Sequence, residues 1–196
     1  MEEGAPEEKV EKKTLGQSVW ELVRFALLAI IIVVPIRMFI AEPFVVSGNS
    51  MHPTFENADY LIVDKLSYRM NEPKRDEIII FRYPKDESKL FIKRVIGLPN
   101  ETVDIKGSKV TITSEKNKEG FTLDEPYVKN ISNDVTHIEL KGDEYFVMGD
   151  NRSGSSDSRY WGPVKRKLMV GKVLVRLLPV NKVNVWPGYY KQTEVK

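Results

Sequence analysis

Phe25 to Ile36 is a run of twelve apolar residues without a charge, and the apolar character continues through Met38, Phe39 and Ile40 after one interruption at Arg37. Such a run has few ways of staying out of water: a helix buried in a core, a cleaved export signal, or a membrane anchor. A core helix keeps one polar face, and this run has none. A cleaved signal ends in small residues at alternate positions, whereas Met38-Phe39-Ile40-Ala41-Glu42-Pro43 offers a single alanine and then a proline. The anchor passes both tests. As a helix, Phe25 to Ile40 reaches roughly 24 Å at ~1.5 Å per residue, short of a hydrocarbon core of about 30 Å. Arg24 and Arg37 can snorkel from the two ends, and Trp20 and Phe44 fall where interfacial aromatics sit, so the effective span widens to Trp20–Phe44. The anchor is placed at residues 19–42, behind a polar tail over residues 1–18. Lys9, Lys12, Lys13 and Arg24 favour a single-pass protein of the cell membrane, with its amino terminus cytoplasmic and its body extracytoplasmic.

The chain beyond the anchor is long enough for one domain of ordinary size, since the whole has 196 residues. A hydrophobic content of 41% with 30% charged residues suits a globular body with its own core. The formal charge of +2 gives no ground for a nucleic-acid partner, which calls for a clustered basic face. Without cysteine there are no disulfides, no thiolate chemistry and no zinc site built on cysteine. His52 and His137 are the only histidines, which leaves little material for a metal or a histidine base. No metal and no cofactor is called for.

Past the anchor the chain turns strand-like. Residues 44–46, 60–63, 77–81, 89–97, 102–105, 109–112, 144–148 and 170–175 are short runs rich in β-branched and aromatic residues, each bounded by Gly, Pro, Asn or Asp. No 12-residue window after Thr54 carries a helical period, although Phe55-Glu56-Asn57 and Ser67-Tyr68-Arg69 each have room for one turn. The fold class read from this is mostly β. Residues 43–105 and 143–180 form its core, the polar and irregular stretch 106–142 is an inserted subdomain, and 181–196 is a carboxy-terminal tail.

Three stretches carry possible chemistry. In Ser47-Gly48-Asn49-Ser50-Met51-His52-Pro53-Thr54 a serine stands between a glycine free to adopt unusual φ and a proline that fixes its own, so the loop has few shapes. Such a loop can hold a nucleophile, or it can simply be a turn. In Phe91-Ile92-Lys93-Arg94-Val95-Ile96-Gly97-Leu98-Pro99, strand alternation puts Lys93 on the face of Phe91 and Val95. An ammonium withdrawn from water there loses proton affinity and can become a general base. The other reading turns Lys93 to solvent and Arg94 inward. The third stretch, Gly149-Asp150-Asn151-Arg152-Ser153-Gly154-Ser155-Ser156-Asp157-Ser158-Arg159, resembles a calcium loop only until Arg152 falls where an oxygen ligand is required. Its two arginines and two aspartates can pair and stiffen a loop beside a site.

These three stretches, in this order behind an anchor, resemble the main boxes of bacterial type I signal peptidases, over roughly Trp20 to Pro179. The resemblance implies a membrane-anchored serine endopeptidase with an antiparallel β catalytic core and an inserted smaller β subdomain. It implies Ser50 as nucleophile, Lys93 as general base, and Ser155 as the residue that holds the lysine amine. Asp150, Asp157 and Arg159 match a polar cluster beside the site. Its substrates would be the signal peptides of exported preproteins, with small residues at −3 and −1, and its other partner the lipid bilayer. Gly48 stands where some members carry a hydroxyl for the oxyanion, which leaves a backbone amide, Ser47 or Asn49 as second donor. Asn100 replaces a common glycine after Pro99, and asparagine tolerates the left-handed geometry such a turn needs. Rival readings are a serine protease using His137, another anchored Ser/Lys processing protease, and an anchored β domain that binds a partner without catalysis.

Overall fold

The structure, a computed structural model, describes residues 15–190. Most of the amino-terminal tail and the last six residues of the carboxy-terminal one therefore lie outside the described residues. The described chain falls into two units, an amino-terminal helix and a β body.

Helix α1 spans Leu15–Pro35 and continues as a wider helical turn over Ile36–Ile40. The change of winding comes right after Pro35, which has no N–H to give to the regular ladder. Together they make 26 residues with no buried side chain, a helix long and apolar enough to cross a membrane. It starts before residue 19, where the anchor is placed, and ends at Ile40, the last residue of the apolar run. Ala41 to Val45 are a strand, and Pro43 within them explains why no helix continues to residue 42 or 44.

The body is built from β1 (Ala41–Val45), β2 (Tyr60–Asp64), β3 (Ile78–Tyr83), β4 (Asp86–Gly97), β5 (Glu101–Lys106), β6 (Lys109–Ser114), β7 (Asn117–Thr122), β8 (Val135–Glu139), β9 (Glu144–Met148), β10 (Val164–Lys165), β11 (Met169–Leu178) and β12 (Asn184–Val185). One sheet runs β1-β2-β11-β3-β4-β9-β10, with β12 against β11. A second, four-stranded sheet runs β7-β6-β5-β8. The pairs within both sheets are antiparallel. Two single-turn α-helices, α2 (Ser67–Met70) and α3 (Ser158–Trp161), and 3-10 turns at Arg152–Gly154, Arg166–Leu168 and Val180–Lys182 complete the described body.

Strand β4 joins the layers. Its second half, Ile92 to Gly97, is buried throughout, and its side chains enter three apolar clusters: Ile92 with Leu61, Phe55 and Met51; Val95 with Phe81 and Tyr145; Ile96 with Val103, Ile112 and Phe146. The chain then reverses through Leu98-Pro99-Asn100 into the second sheet, and Asn100 takes the left-handed φ of 63° expected of it. Strands β7 and β8 lie in the stretch that reads as polar and irregular. Both are edge strands, and an edge needs few apolar side chains once its partner supplies the ladder.

Gly97 sits where the two sheets come close. A Cβ there would come within 2.6 Å of Val103 Cγ2, 2.7 Å of Leu140 Cδ1 and 3.0 Å of Phe146 Cβ. Gly97→Ala is expected to destabilise the body by about 1–3 kcal/mol through overpacking, read as a lower midpoint in urea unfolding of the full-length chain.

Candidate active site

The Ser50 loop is pinned at both ends by burial. Val46 before it and Met51 after it are 5% and 1% exposed, and Phe55 is fully buried in the same apolar cluster. Backbone bonds from Val46 N to Asp59 O, His52 N to Asn49 O and Phe55 N to Met51 O close the turn. Gly48 sits at φ 90°, a region closed to most side chains, and its N–H donates to Asn57 Oδ1 at 3.0 Å. That bond commits the Gly48 amide, so it is not a free oxyanion donor. Ser47 and Asn49 are exposed at the mouth of the site.

Lys93 reaches this loop from β4. Its Nζ donates to Ser50 Oγ at 2.6 Å and to the Ile92 carbonyl at 3.0 Å. The residue is 4% exposed, and burial pushes its pKa down to about 8, against the upward pull of Asp157 and Asp150. The sequence leaves two readings, with either Lys93 or Arg94 turned inward. Both are inward: Arg94 is 0% exposed. An alternation argument assumes one wet face, and this half of β4 has none.

Arg94 answers to Asp150. Its Nε and Nη2 donate to the two carboxylate oxygens at 2.8 and 2.6 Å, its Nη1 to the carbonyls of Asp76 and Gly188, and the Tyr127 ring covers it at 3.8 Å. Thr54 Oγ1 donates to the same carboxylate at 2.5 Å, tying the far limb of the Ser50 loop to the pair. Asp157 pairs with Arg159 at 2.7 Å, accepts from Gly149 N at 3.0 Å and caps the first turn of α3. Arg159 also donates to Asp134, Ser132 and the Arg152 carbonyl.

The structure therefore brings Ser50 and Lys93 into hydrogen-bond contact, holds Asp150 on Arg94 and on Thr54 of the Ser50 loop, and pairs Asp157 with Arg159 nearby. Ser155 is treated differently. It is 5% exposed, but its Oγ has no hydrogen-bond partner and is not bonded to Lys93. It lies beside Gly149, where a Cβ would run into both Ser155 Oγ and the Ser50 carbonyl. Sequence reasoning passes over Asn151, whose backbone N–H donates to the Ser50 carbonyl and whose Nδ2 donates to the Asn49 carbonyl, each at 3.1 Å. It also passes over Thr54, Asn57 and the partnership of Arg94. A charged residue embedded in an apolar strand is the available signal for the last, and nothing local marks the first two.

His137 does bond a carboxylate, Asp104 at 2.7 Å, but on the exposed face of β8 in the second sheet. His52 is exposed as well, and neither histidine lines the groove at Ser50. That groove has a volume of about 530 Å³ and runs between Phe44, Val45 and Val46 on one side and Lys89 to Lys93 on the other. β1 is the last strand of its sheet, and residues 86–92 of β4 are paired on one flank only, since β9 begins to pair at Arg94. Both walls thus offer unpaired backbone flanks.

An apolar helix and a mostly antiparallel body, which holds a serine hydroxyl against a buried amine in an open groove, are the frame of a serine endopeptidase. The chain belongs to the signal peptidase family, peptidase S26, whose family model matches residues 19–178. It is 36% identical over 183 residues to a probable signal peptidase I-2 of Synechocystis sp., covering 89% of this chain and 81% of that one. It is 39% identical over 165 residues to a signal peptidase I of Leptolyngbya laminosa, covering 80% and 78%. A signal peptidase I of Bacillus caldolyticus is 36% identical over 169 residues, covering 79% and 88%.

The Arg94–Asp150 pair gives a direct test of the network. Asp150→Ala strands a buried guanidinium and is expected to cost about 3–5 kcal/mol, more than loss of the exposed Lys89–Asp86 pair, when both are compared by urea unfolding.

Proposed function

We propose that the chain removes signal peptides from exported preproteins, with Ser50 as nucleophile and Lys93 as general base. The observation that carries this is the 2.6 Å contact between Ser50 Oγ and a lysine amine that is 4% exposed. An amine with a pKa of about 8 is partly neutral near neutral pH and can take the Ser50 proton as Oγ attacks the scissile carbonyl. The amine then protonates the departing amide nitrogen, and in the second half of the cycle it draws a proton from the water that frees the acyl-enzyme. The oxyanion would be met by the Ser50 amide and by one further donor, Ser47 or Asn49, because the Gly48 amide is already engaged. Ser155 would complete the set by turning its unpartnered hydroxyl to the lysine amine once substrate is bound. Asp150, Asp157 and Arg159 would act through the loops they hold rather than on the substrate.

The substrate would enter extended and pair its backbone with the free flanks of β1 and β4. Residues with small side chains at −3 and −1 would face the floor formed by Leu61, Ile80 and Ile92. The helix from Leu15 to Ile40 would cross the lipid bilayer with its amino terminus cytoplasmic, leaving the body on the outer side where exported chains emerge.

The test is cleavage of a preprotein by the full-length chain in detergent, with and without a metal chelator. Ser50→Ala and Lys93→Ala are each expected to lower kcat/KM by about a thousandfold or more, and chelation to change nothing. A Lys93→Ala enzyme that keeps more than about a tenth of the activity, a loss under roughly 1.4 kcal/mol, would remove Lys93 from the role of base. The sign of the pH dependence is set by the amine. Protonated Lys93 cannot accept a proton, so kcat/KM is expected to fall about tenfold per unit below a pH of about 8 and to level off above it.

A further inference from the structure

The carboxy-terminal stretch that reads as a tail is, in its described part, strapped across the back of the site. β12 pairs Val185 with Val175 and Asn184 with Arg176. A strap that only covered the end of the sheet would need no more than this, yet it makes further contacts directed at the two segments that meet at the dyad. The Gly188 carbonyl accepts from Arg94 Nη1 at 2.8 Å, which makes it one of the partners that satisfy a fully buried guanidinium. Gly188 itself, at φ 72°, abuts Thr54: a Cβ there would run into Thr54 Cγ2 and come within 2.7 Å of Ile78 Cδ1. Lys182 pairs with Glu56 at 2.9 Å, while its carbonyl accepts from Arg176, whose Nη1 in turn donates to the Thr54 carbonyl at 2.9 Å. Tyr190 packs edge-on against Tyr127, the ring that covers Arg94, and donates to Asp124 at 2.5 Å.

Taking the catalytic reading of Ser50 and Lys93 as its basis, we propose that residues 182–190 are a positioning element of the active centre, which sets where the Ser50 loop stands relative to the strand that carries Lys93. The strap holds Thr54 and Glu56 on one side and Arg94 on the other, close along the chain to the nucleophile and next to the base. Its Gly188 is required because only a residue without Cβ lets the backbone come close enough to touch Thr54 and still give its carbonyl to Arg94.

The test uses the full-length chain carrying Gly188→Ala, with preprotein cleavage, its pH profile and urea unfolding measured together. A positioning role lowers kcat by about tenfold with KM within about twofold, and moves the acid limb of kcat to higher pH as water reaches the displaced amine. Adding Thr54→Ser to Gly188→Ala removes the colliding methyl, keeps the hydroxyl for Asp150, and is expected to restore part of the lost kcat. Should Gly188→Ala not fold, Tyr190→Ala releases the end of the strap without adding an atom and is expected to lower kcat with the same shift of the acid limb. Unchanged kcat in both variants would overturn the proposal, as would a loss of kcat that tracks lowered stability with the pH profile unmoved. An inactive wild-type chain, or a Ser50→Ala chain as active as wild type, would instead overturn the catalytic reading.

Discussion

Two charges with no access to water, the Arg94 guanidinium and the Asp150 carboxylate, share a bidentate contact in the middle of the body. An ion pair in such a place is weak ground for stability, because desolvation offsets most of the attraction. Its value is geometric. The guanidinium is rigid and planar, so its fork fixes the carboxylate, and the carboxylate fixes Thr54 at the end of the Ser50 loop. Arg94 is the neighbour of Lys93 on one strand and Asp150 stands just past the end of β9, so a single contact ties the Ser50 loop, the strand of Lys93 and the loop after β9 into one frame.

The same pairing bears on the protonation of Lys93. Two aspartates near a lysine would ordinarily keep it charged, and both do pull its pKa upward. Each of them is matched by an arginine, Asp150 by Arg94 and Asp157 by Arg159. With those carboxylates neutralised by partners of their own, removal from water decides the balance, and the amine is pushed down to about 8. The acids can then serve as structural anchors while the neighbouring amine keeps a proton affinity well below that of an ordinary lysine.

How much of this is legible in the chain depends on whether the cause is local. The strands of the core are, because β2, β3, β6, β9 and β11 are β-branched or aromatic runs with clear stops. The apolar helix is too, and it ends where the apolar run ends, at Ile40, while Pro43 has a fixed φ that suits the strand that follows. β7 and β8 are hidden because edge strands draw their order from a partner and carry ordinary surface residues. In the site, Ser50 and Lys93 stand out as residue types in unusual surroundings, and Asp150, Asp157 and Arg159 as a cluster. Thr54, Asn57, Asn151 and Gly188 do not, since each matters only for what lies opposite it after folding, as Gly188 does for Thr54 from near the other end of the body. The orphaned Ser155 hydroxyl belongs with these, because only coordinates show that its neighbour does not reach it.

The groove walls raise a last point. β1 and the first half of β4 present main-chain donors and acceptors to anything lying between them. A polypeptide can pair with groups of that kind only through amides and carbonyls of its own that are unclaimed, which excludes a segment already wound into a helix or laid into a sheet. Discrimination would then begin with the folding state of the visitor: a loose, stretched junction fits, while the finished domain beside it, however alike in composition, has nothing left to offer the edge.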